Sequence, residues 1–213
     1  MVRILVALLP LYLAGCSVIG MQGDTEQPPY AVVASLPDDI EIRQYAERVA
    51  VEVTVTGDDA DAARNAAFRL LFAYISGANR TDTDIAMTAP VETRGDSRTI
   101  AMTAPVESRV GEAGATTMRF FLPARFTLET APEPTDGRVR LVALPAQRFA
   151  VLTFSGSRSR QAVSGRLQQL HAALDARGLE AMRSSERAFF YDPPWTLPWF
   201  RRNEVAIEVI NSF

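Results

Sequence analysis

Few residues of this chain could carry chemistry, because the reactive types occur once or not at all. The chain has 213 residues with a single histidine, His171, a single cysteine, Cys16, and no lysine. A Ser-His-Asp or Cys-His arrangement would need His171 as its base, and a lysine nucleophile is excluded. A zinc site would need several His or Cys ligands and is disfavoured. These counts predict a protein that is not an enzyme.

The other notable cluster is aromatic and basic. Trp195, Trp199 and Phe200 lie in a stretch with three prolines, Pro193, Pro194 and Pro198, and are followed directly by Arg201 and Arg202. In one interpretation, the aromatic side chains form a binding wall whose guanidinium groups pair with carboxylates. In the other, they cap the fold as a rigid proline-rich loop and the arginines lie at the surface.

An eight-residue repeat indicates how part of the chain is built. Residues 85–92 read IAMTAPVE, and residues 100–107 repeat these letters after a short spacer that contains Gly-Asp-Ser. The pattern predicts an antiparallel hairpin in which Pro90 and Pro105 lie at a bulge, a strand end or an edge. Met87 and Met102 take equivalent positions in the two predicted strands.

Hydrophobic periodicity predicts two successive units of strand, helix and further strands. The first unit contains an extended region over 40–56, a helix over 60–76, the hairpin and a strand over 117–122. The second contains an extended region over 139–154, a helix over 159–177 and strands at 189–191 and 205–210. Two such units predict a pseudo-symmetric α+β domain.

The repeated Ile-Ala-Met-Thr-Ala-Pro-Val run resembles the signature of the SOUL haem-binding protein family. Residues 40–45, 67–79 and 192–205 resemble its opening strand, its first helix and its closing loop and strand, so the resemblance covers residues 30–213. It implies that the two units close into a distorted antiparallel β-barrel with two helices packed outside. It also implies an apolar groove for haem or a related tetrapyrrole, which folding does not require.

Each residue singled out above has a structural role and a haem-binding role as alternatives. His171 either packs at the edge of the core with its hydrogen bonds made, or is an axial ligand of the haem iron. Met87 and Met102 either fill gaps in the core or supply a thioether ligand. The predicted haem-binding residues are His171, Met87, Met102, Trp195, Trp199, Arg201 and Arg202.

The N-terminus resembles that of a bacterial lipoprotein. Arg3 precedes an apolar segment over 4–13 that is too short to span a bilayer, which needs about 20 residues. Leu13-Ala14-Gly15-Cys16 then resembles a lipobox, although a buried or incidental Cys16 is the alternative. We therefore predict a signal peptide over 1–15, a lipidated Cys16 that begins a flexible tether over 16–29, and one domain over 30–213.

These features predict a location and the kinds of partner. Ser17 follows Cys16, which by resemblance to enterobacterial sorting favours the outer membrane, with the domain facing the periplasm of the cell envelope. A net charge of −3 offers no basic excess for nucleic acid. The predicted partners are a porphyrin and, through the anchor, a membrane. The alternative hypothesis is an envelope protein-interaction module with incidental haem affinity, whose protein partner is unknown.

Overall fold

The computed structural model describes residues 25–81, 97–110, 115–193 and 195–210. The described part contains two α-helices and eleven strands. The strands are β1 (Tyr30–Leu36), β2 (Ile40–Tyr45), β3 (Arg48–Val55), β4 (Asn79–Arg80), β5 (Val106–Val110), β6 (Thr116–Phe121), β7 (Glu133–Pro134), β8 (Val139–Leu144), β9 (Gln147–Phe154), β10 (Ala181–Phe190) and β11 (Asn203–Val209). The helices are α1 (Ala60–Ile75) and α2 (Arg160–Asp175).

Nine of the described strands form one antiparallel sheet in the order β1-β2-β9-β11-β10-β5-β6-β3-β8, and β4 pairs with β7 separately. The order from β2 to β8 is symmetric about the β10–β5 pair, with β9, β11 and β10 matching β3, β6 and β5. The first strand of each unit pairs with a strand of the other unit. β2 of the first unit pairs with β9 of the second, and β8 of the second unit pairs with β3 of the first. The described strands therefore form an open sheet with β1 and β8 at its edges, and the predicted closure into a barrel is not confirmed.

Both helices begin at a side-chain cap and end near a glycine. The carboxylate of Asp59 accepts hydrogen bonds from the backbone N–H groups of Asp61 and Ala62, and Ser159 caps α2 through Ala162. Such caps satisfy backbone donors that the first turn of a helix leaves free. Gly77 and Gly178 follow the two helices with positive φ angles, which glycine adopts without steric cost. The structure thus confirms both predicted helices.

The two helices cover the same face of the sheet, each over its own core. Leu71 and Tyr74 of α1 pack in a cluster with Val51 of β3, whereas Leu170 of α2 packs in a cluster with Ile207 of β11. Side chains alternate between the two faces of a strand, so the residues between these core positions point the other way. We call the side away from the helices the second face, and it carries a third apolar cluster that includes Phe121, Phe149 and Phe189.

The extended regions predicted from the sequence are bent. The first divides into β2 and β3 around Ala46 and Glu47, and the second divides into β8 and β9 around Pro145 and Ala146. Pro145 has no N–H group to donate to a ladder, which explains the second break.

The predicted twin hairpin is wrong for its second copy. Residues 100–105 are irregular and the strand begins only at Val106, where it pairs on both sides, with β6 and β10. Pro105 cannot donate to a ladder, and the hydroxyl of Thr103 instead donates to the carbonyl of Phe121. The first copy, residues 85–92, lies outside the described residues.

The beginning of the described chain is attached to the domain. The carbonyl of Glu26 accepts a hydrogen bond from the N–H of Ala104 at 3.0 Å, and its side chain accepts one from the N–H of Ala124 at 2.6 Å. The predicted signal peptide and Cys16 lie outside the described residues. Within the described ranges, no helix is long and apolar enough to cross a membrane.

The packing of α2 predicts a large effect for one core residue. Leu170 is fully buried, so Leu170→Ala should lower the free energy of unfolding by about 2–5 kcal/mol, because it removes apolar contacts and leaves a cavity. Urea denaturation would measure the change. The control Gln169→Ala, at the adjacent exposed position, should stay within about 0.5 kcal/mol of the parent protein. Equal effects of the two substitutions would contradict this packing.

Candidate functional site

The most exposed group of large apolar side chains in the described chain lies between β10 and β11. Trp195 and Trp199 are each 65% exposed, Phe200 is 45% exposed and Leu197 is 37% exposed. Trp199 and Phe200 belong to a short 3-10 helix, Pro198–Phe200. We call residues 191–193 and 195–202 the aromatic loop. Contiguous exposed apolar patches of this kind commonly mark a binding surface.

Hydrogen bonds hold the aromatic loop in place at several points. A carboxylate oxygen of Asp192 accepts from the backbone N–H of Arg202 at 2.7 Å, and the carbonyl of Pro198 accepts from the N–H of Gly156 at 2.8 Å. The Nε of Arg201 donates to the carbonyl of Thr196 at 2.7 Å. A loop fixed in this way would lose little conformational entropy when a ligand covers it.

Positive charge is concentrated beside the aromatic loop. Arg158 donates from Nη1 to the carbonyl of Asp192 at 3.2 Å and lies 5.7 Å from the centre of the Phe190 ring. Burial lowers the pKa of Arg158, and repulsion by Arg201 and Arg64 lowers it further, against a smaller opposite effect of Asp192. A bound anion would relieve this repulsion.

Arg201 and Arg202 have different surroundings although they are adjacent in sequence. The guanidinium of Arg202 donates to Oε1 of Glu204 at 3.0 Å and 2.7 Å and lies 4.0 Å from the centre of the Tyr191 ring. Tyr191 in turn donates to Oε2 of the same carboxylate at 2.6 Å. Glu204 therefore holds both ends of the aromatic loop, and Arg202 is part of this support.

The structure places His171 away from the aromatic loop. Its Nε2 lies 2.6 Å from Oε1 of Glu186 in β10, and the residue is 9% exposed. The loop contacts the chain just before the first turn of α2, through Gly156 and Arg158, whereas His171 lies about 16 Å further along this helix. The structure thus brings Trp195 and Trp199 onto one loop but does not bring His171 to it.

The remaining predicted site residues are only partly covered by the structure. Met102 is 44% exposed in the irregular segment before β5, so its thioether does not fill a gap in the described core. Met87 and Cys16 lie outside the described residues. Across the described ranges, no group of three or more His, Cys, Asp or Glu side chains could hold a metal ion.

The second face carries a network of buried charges that the sequence analysis did not find. Glu204 is fully buried and also accepts from Nη1 of Arg43 at 2.9 Å. Glu52 accepts from Arg119 and Arg140, and Arg119 also pairs with Glu107 at 2.7 Å. Alternation along the strands places these residues on one face, and an alternating polar position normally indicates solvent. Only the tertiary structure shows that Glu52, Glu107 and Glu204 on this face are buried.

Comparison with known proteins identifies a family and a fold. The model of the SOUL heme-binding protein family matches residues 25–208, which is most of the chain. No curated protein matches the chain in sequence.

Solved structures share the fold at low sequence identity. An uncharacterized conserved protein from Listeria innocua is 15% identical with a TM-score of 0.55, and the match covers 81% of this chain and 93% of that one. The EcmrR C-terminal domain is 8% identical with a TM-score of 0.57, over 83% of this chain and 100% of that domain. A protein from Listeria innocua described as a hydrolase is 14% identical with a TM-score of 0.50, over 83% and 94%. At these identities the likeness concerns the fold alone.

The charge network predicts a specific dependence of stability on pH. Burial alone would raise the pKa of Glu52, but hydrogen bonds and charge from Arg140 and Arg119 outweigh it and hold the pKa below its ordinary value of 4.5. The carboxylate therefore stabilises the fold fully above that ordinary value, and this contribution is lost as the pH falls through the lower pKa of the folded state.

Glu52→Gln should lower the free energy of unfolding by about 2 kcal/mol at pH 7, because it removes charge-assisted hydrogen bonds. The difference from the parent should shrink as the pH falls below 4.5. Urea denaturation at a series of pH values would measure it. Glu133→Gln, at an exposed position, is the control, and a Glu52→Gln difference that does not change with pH would contradict the assignment.

Proposed function

This chain belongs to the SOUL heme-binding protein family, and we propose that it binds haem or a related planar tetrapyrrole on the aromatic loop. The observation that carries the proposal is the exposure of Trp195, Trp199 and Phe200 on a fixed loop beside clustered arginines. This arrangement combines exposed aromatic surface with positive charge.

The chemistry of the loop fits the chemistry of a tetrapyrrole. The macrocycle is flat and apolar, so it would cover indole and phenyl surface that is otherwise in water. The carboxylates of its side chains would pair with Arg158 and Arg201, where mutual repulsion of guanidinium groups favours an anion. Arg202 would act indirectly, because Glu204 holds it in the support of the loop. Bound haem would bring an iron centre whose properties depend on its axial ligands.

We propose that His171 does not ligate the iron. Its Nε2 is held by Glu186, and it lies at the other end of α2 from the aromatic loop. Its role in this proposal is to join α2 to β10. The thioether of Met102 is exposed and stays a hypothetical ligand, as does that of Met87.

The proposed function is binding without catalysis. The single imidazole of the chain contacts Glu186, away from the aromatic loop, and lysine is absent, so the proposal gives the loop neither a histidine base nor a lysine Schiff base. The likeness to a protein described as a hydrolase concerns the fold and transfers no active-site residue.

We further propose that the protein is anchored by a lipidated Cys16 in the cell envelope. The support is the lipobox-like sequence before Cys16 together with the place at which the chain reaches the domain. There Gln27 accepts a hydrogen bond from Arg202 at 3.5 Å, so the tether would join the domain beside the aromatic loop.

A protein-interaction module is the second candidate function. Tryptophan and arginine dominate the energetic hot spots of protein interfaces, and the aromatic loop presents both types at the surface. A protein partner would use the same residues without need of a flat macrocycle. Titration with a tetrapyrrole therefore separates the two candidates.

Haem titration of the purified protein should show a saturable Soret change. The double substitution Trp195→Ala, Trp199→Ala should weaken binding at least about tenfold, because it removes the apolar surface that the ring would cover. Phe72→Ala is the matched control, since Phe72 is a 48% exposed aromatic residue on α1, away from the loop. Unsaturable binding, or equal affinity of the double variant and the parent, would contradict the proposal.

His171→Ala should leave the Soret position and the haem affinity unchanged, because His171 is placed as a structural residue. The same substitution should lower the melting temperature by a few degrees, since it breaks the contact with Glu186. Absorption spectra of the oxidised and reduced complexes, with thermal denaturation, would measure both effects. A shifted Soret band in the variant would show that the imidazole ligates the iron.

A further inference from the structure

The described chain enters the domain beside the aromatic loop. Gln27 accepts a hydrogen bond from Nη1 of Arg202 at 3.5 Å, and Glu26 accepts from the backbone N–H groups of Ala104 and Ala124. These contacts fix the point at which the preceding chain reaches the described structure. An anchor on the N-terminal side of this point therefore holds the side of the domain that carries the loop.

The proposed lipid anchor lies a short way along the chain from this point. At about 3.6 Å per residue, the chain from Cys16 to Gln27 spans at most about 40 Å. A tether of this length keeps the aromatic loop at a high effective concentration near the membrane. Contacts of the loop with lipid that are too weak to hold a free protein are then sufficient to orient an anchored one.

The exposed side chains of the loop suit the boundary between lipid and water. Trp195 and Trp199 each carry a large apolar ring system with one polar N–H group, and both are mostly exposed. Tryptophan is enriched at membrane–water interfaces because it combines these two properties. Leu197 and Phe200 add exposed apolar surface on the same loop. The loop thus groups apolar side chains that a surface in contact with water alone rarely brings together.

The charges at the loop suit lipid phosphates. Asp192 is the one acidic residue of the loop, and it is buried and accepts from the N–H of Arg202. Arg158 and Arg201 are partly exposed and close enough to repel each other. Guanidinium groups form paired hydrogen bonds with phosphate oxygens. The described loop therefore attracts anionic headgroups and has no exposed carboxylate to repel them.

On the basis of the proposed anchor at Cys16, we propose that the aromatic loop is the surface by which the domain lies on the bilayer. Its indole and phenyl rings enter the headgroup region, and Arg158 and Arg201 bind lipid phosphates. Haem and the bilayer cover the same side chains, so they are alternative occupants of the loop.

Intrinsic fluorescence reports on this surface alone, because the two tryptophans of the chain are both on the aromatic loop. The haem-free protein, expressed from the full chain, is reconstituted into vesicles of equal amounts of phosphatidylcholine and phosphatidylglycerol, with or without bromine on the acyl chains near the headgroup. Bromine quenches indole at short range, so the brominated vesicles should lower the emission by about half or more. Unquenched emission from protein that floats with the vesicles would overturn the proposal.

Two substitutions locate the contact and keep both tryptophans. Leu197→Glu places a carboxylate at an exposed position of the loop and should remove most of the quenching, because a charge resists entry into lipid. Met182→Glu makes the same change at an exposed position near the start of β10, whereas the loop follows the end of this strand. It should leave the quenching unchanged. Equal quenching of the two variants would overturn the proposal.

The lipid composition tests the two arginines. Quenching should fall when phosphatidylglycerol is replaced by phosphatidylcholine, because the net negative charge of the surface is then lost. Equal quenching in both kinds of vesicle would overturn the part assigned to Arg158 and Arg201.

Mass spectrometry of the N-terminal residue tests the anchor separately. An unacylated Cys16 would contradict the anchor, whereas unquenched tryptophans on an acylated protein would contradict only the contact of the loop with the membrane. Titration with haem in the absence of vesicles tests the tetrapyrrole site independently of both.

Discussion

The fully buried carboxylate of Glu204 is the interaction on which the functional surface depends. A buried charge is tolerated only when it is paired and hydrogen-bonded, and Glu204 is bound by Arg43 of β2, Arg202 and Tyr191. The last two residues are at the two ends of the aromatic loop. One buried strand residue therefore fixes both ends of the loop. The positions of the exposed tryptophans depend on these two ends.

The exchange of first strands extends the same dependence to the whole sheet. β2 belongs to the first unit but pairs with β9 of the second, and β8 makes the reciprocal pairing with β3. Arg43 of β2 thus crosses to Glu204 in the other unit. Neither unit has a complete sheet without the other, so the aromatic loop of the second unit is stabilised by a strand of the first.

Local features of the sequence predicted the elements well. The helical periodicity over 60–76 and 159–177 depends on near neighbours, and the structure has helices there, with side-chain caps at Asp59 and Ser159 and glycines after both. The strand predicted for the second repeat copy, residues 100–107, is wrong over 100–105, because an apolar run cannot by itself distinguish a strand from an irregular segment held by Thr103. The aromatic loop was recognised from composition, but its support by Glu204 was not.

The sequence by itself determined the α+β class, the two helices and the family, because helical periodicity, caps and signature runs are read within a few residues of one another. Only the tertiary structure decided that Glu52 and Glu204 are buried in ion pairs on the second face, and that Arg201 and Arg202 point to different surroundings. The physical reason is that such pairing joins distant parts of the chain. Arg43 and Glu204 are 161 residues apart, and no local pattern encodes which charges meet at that separation.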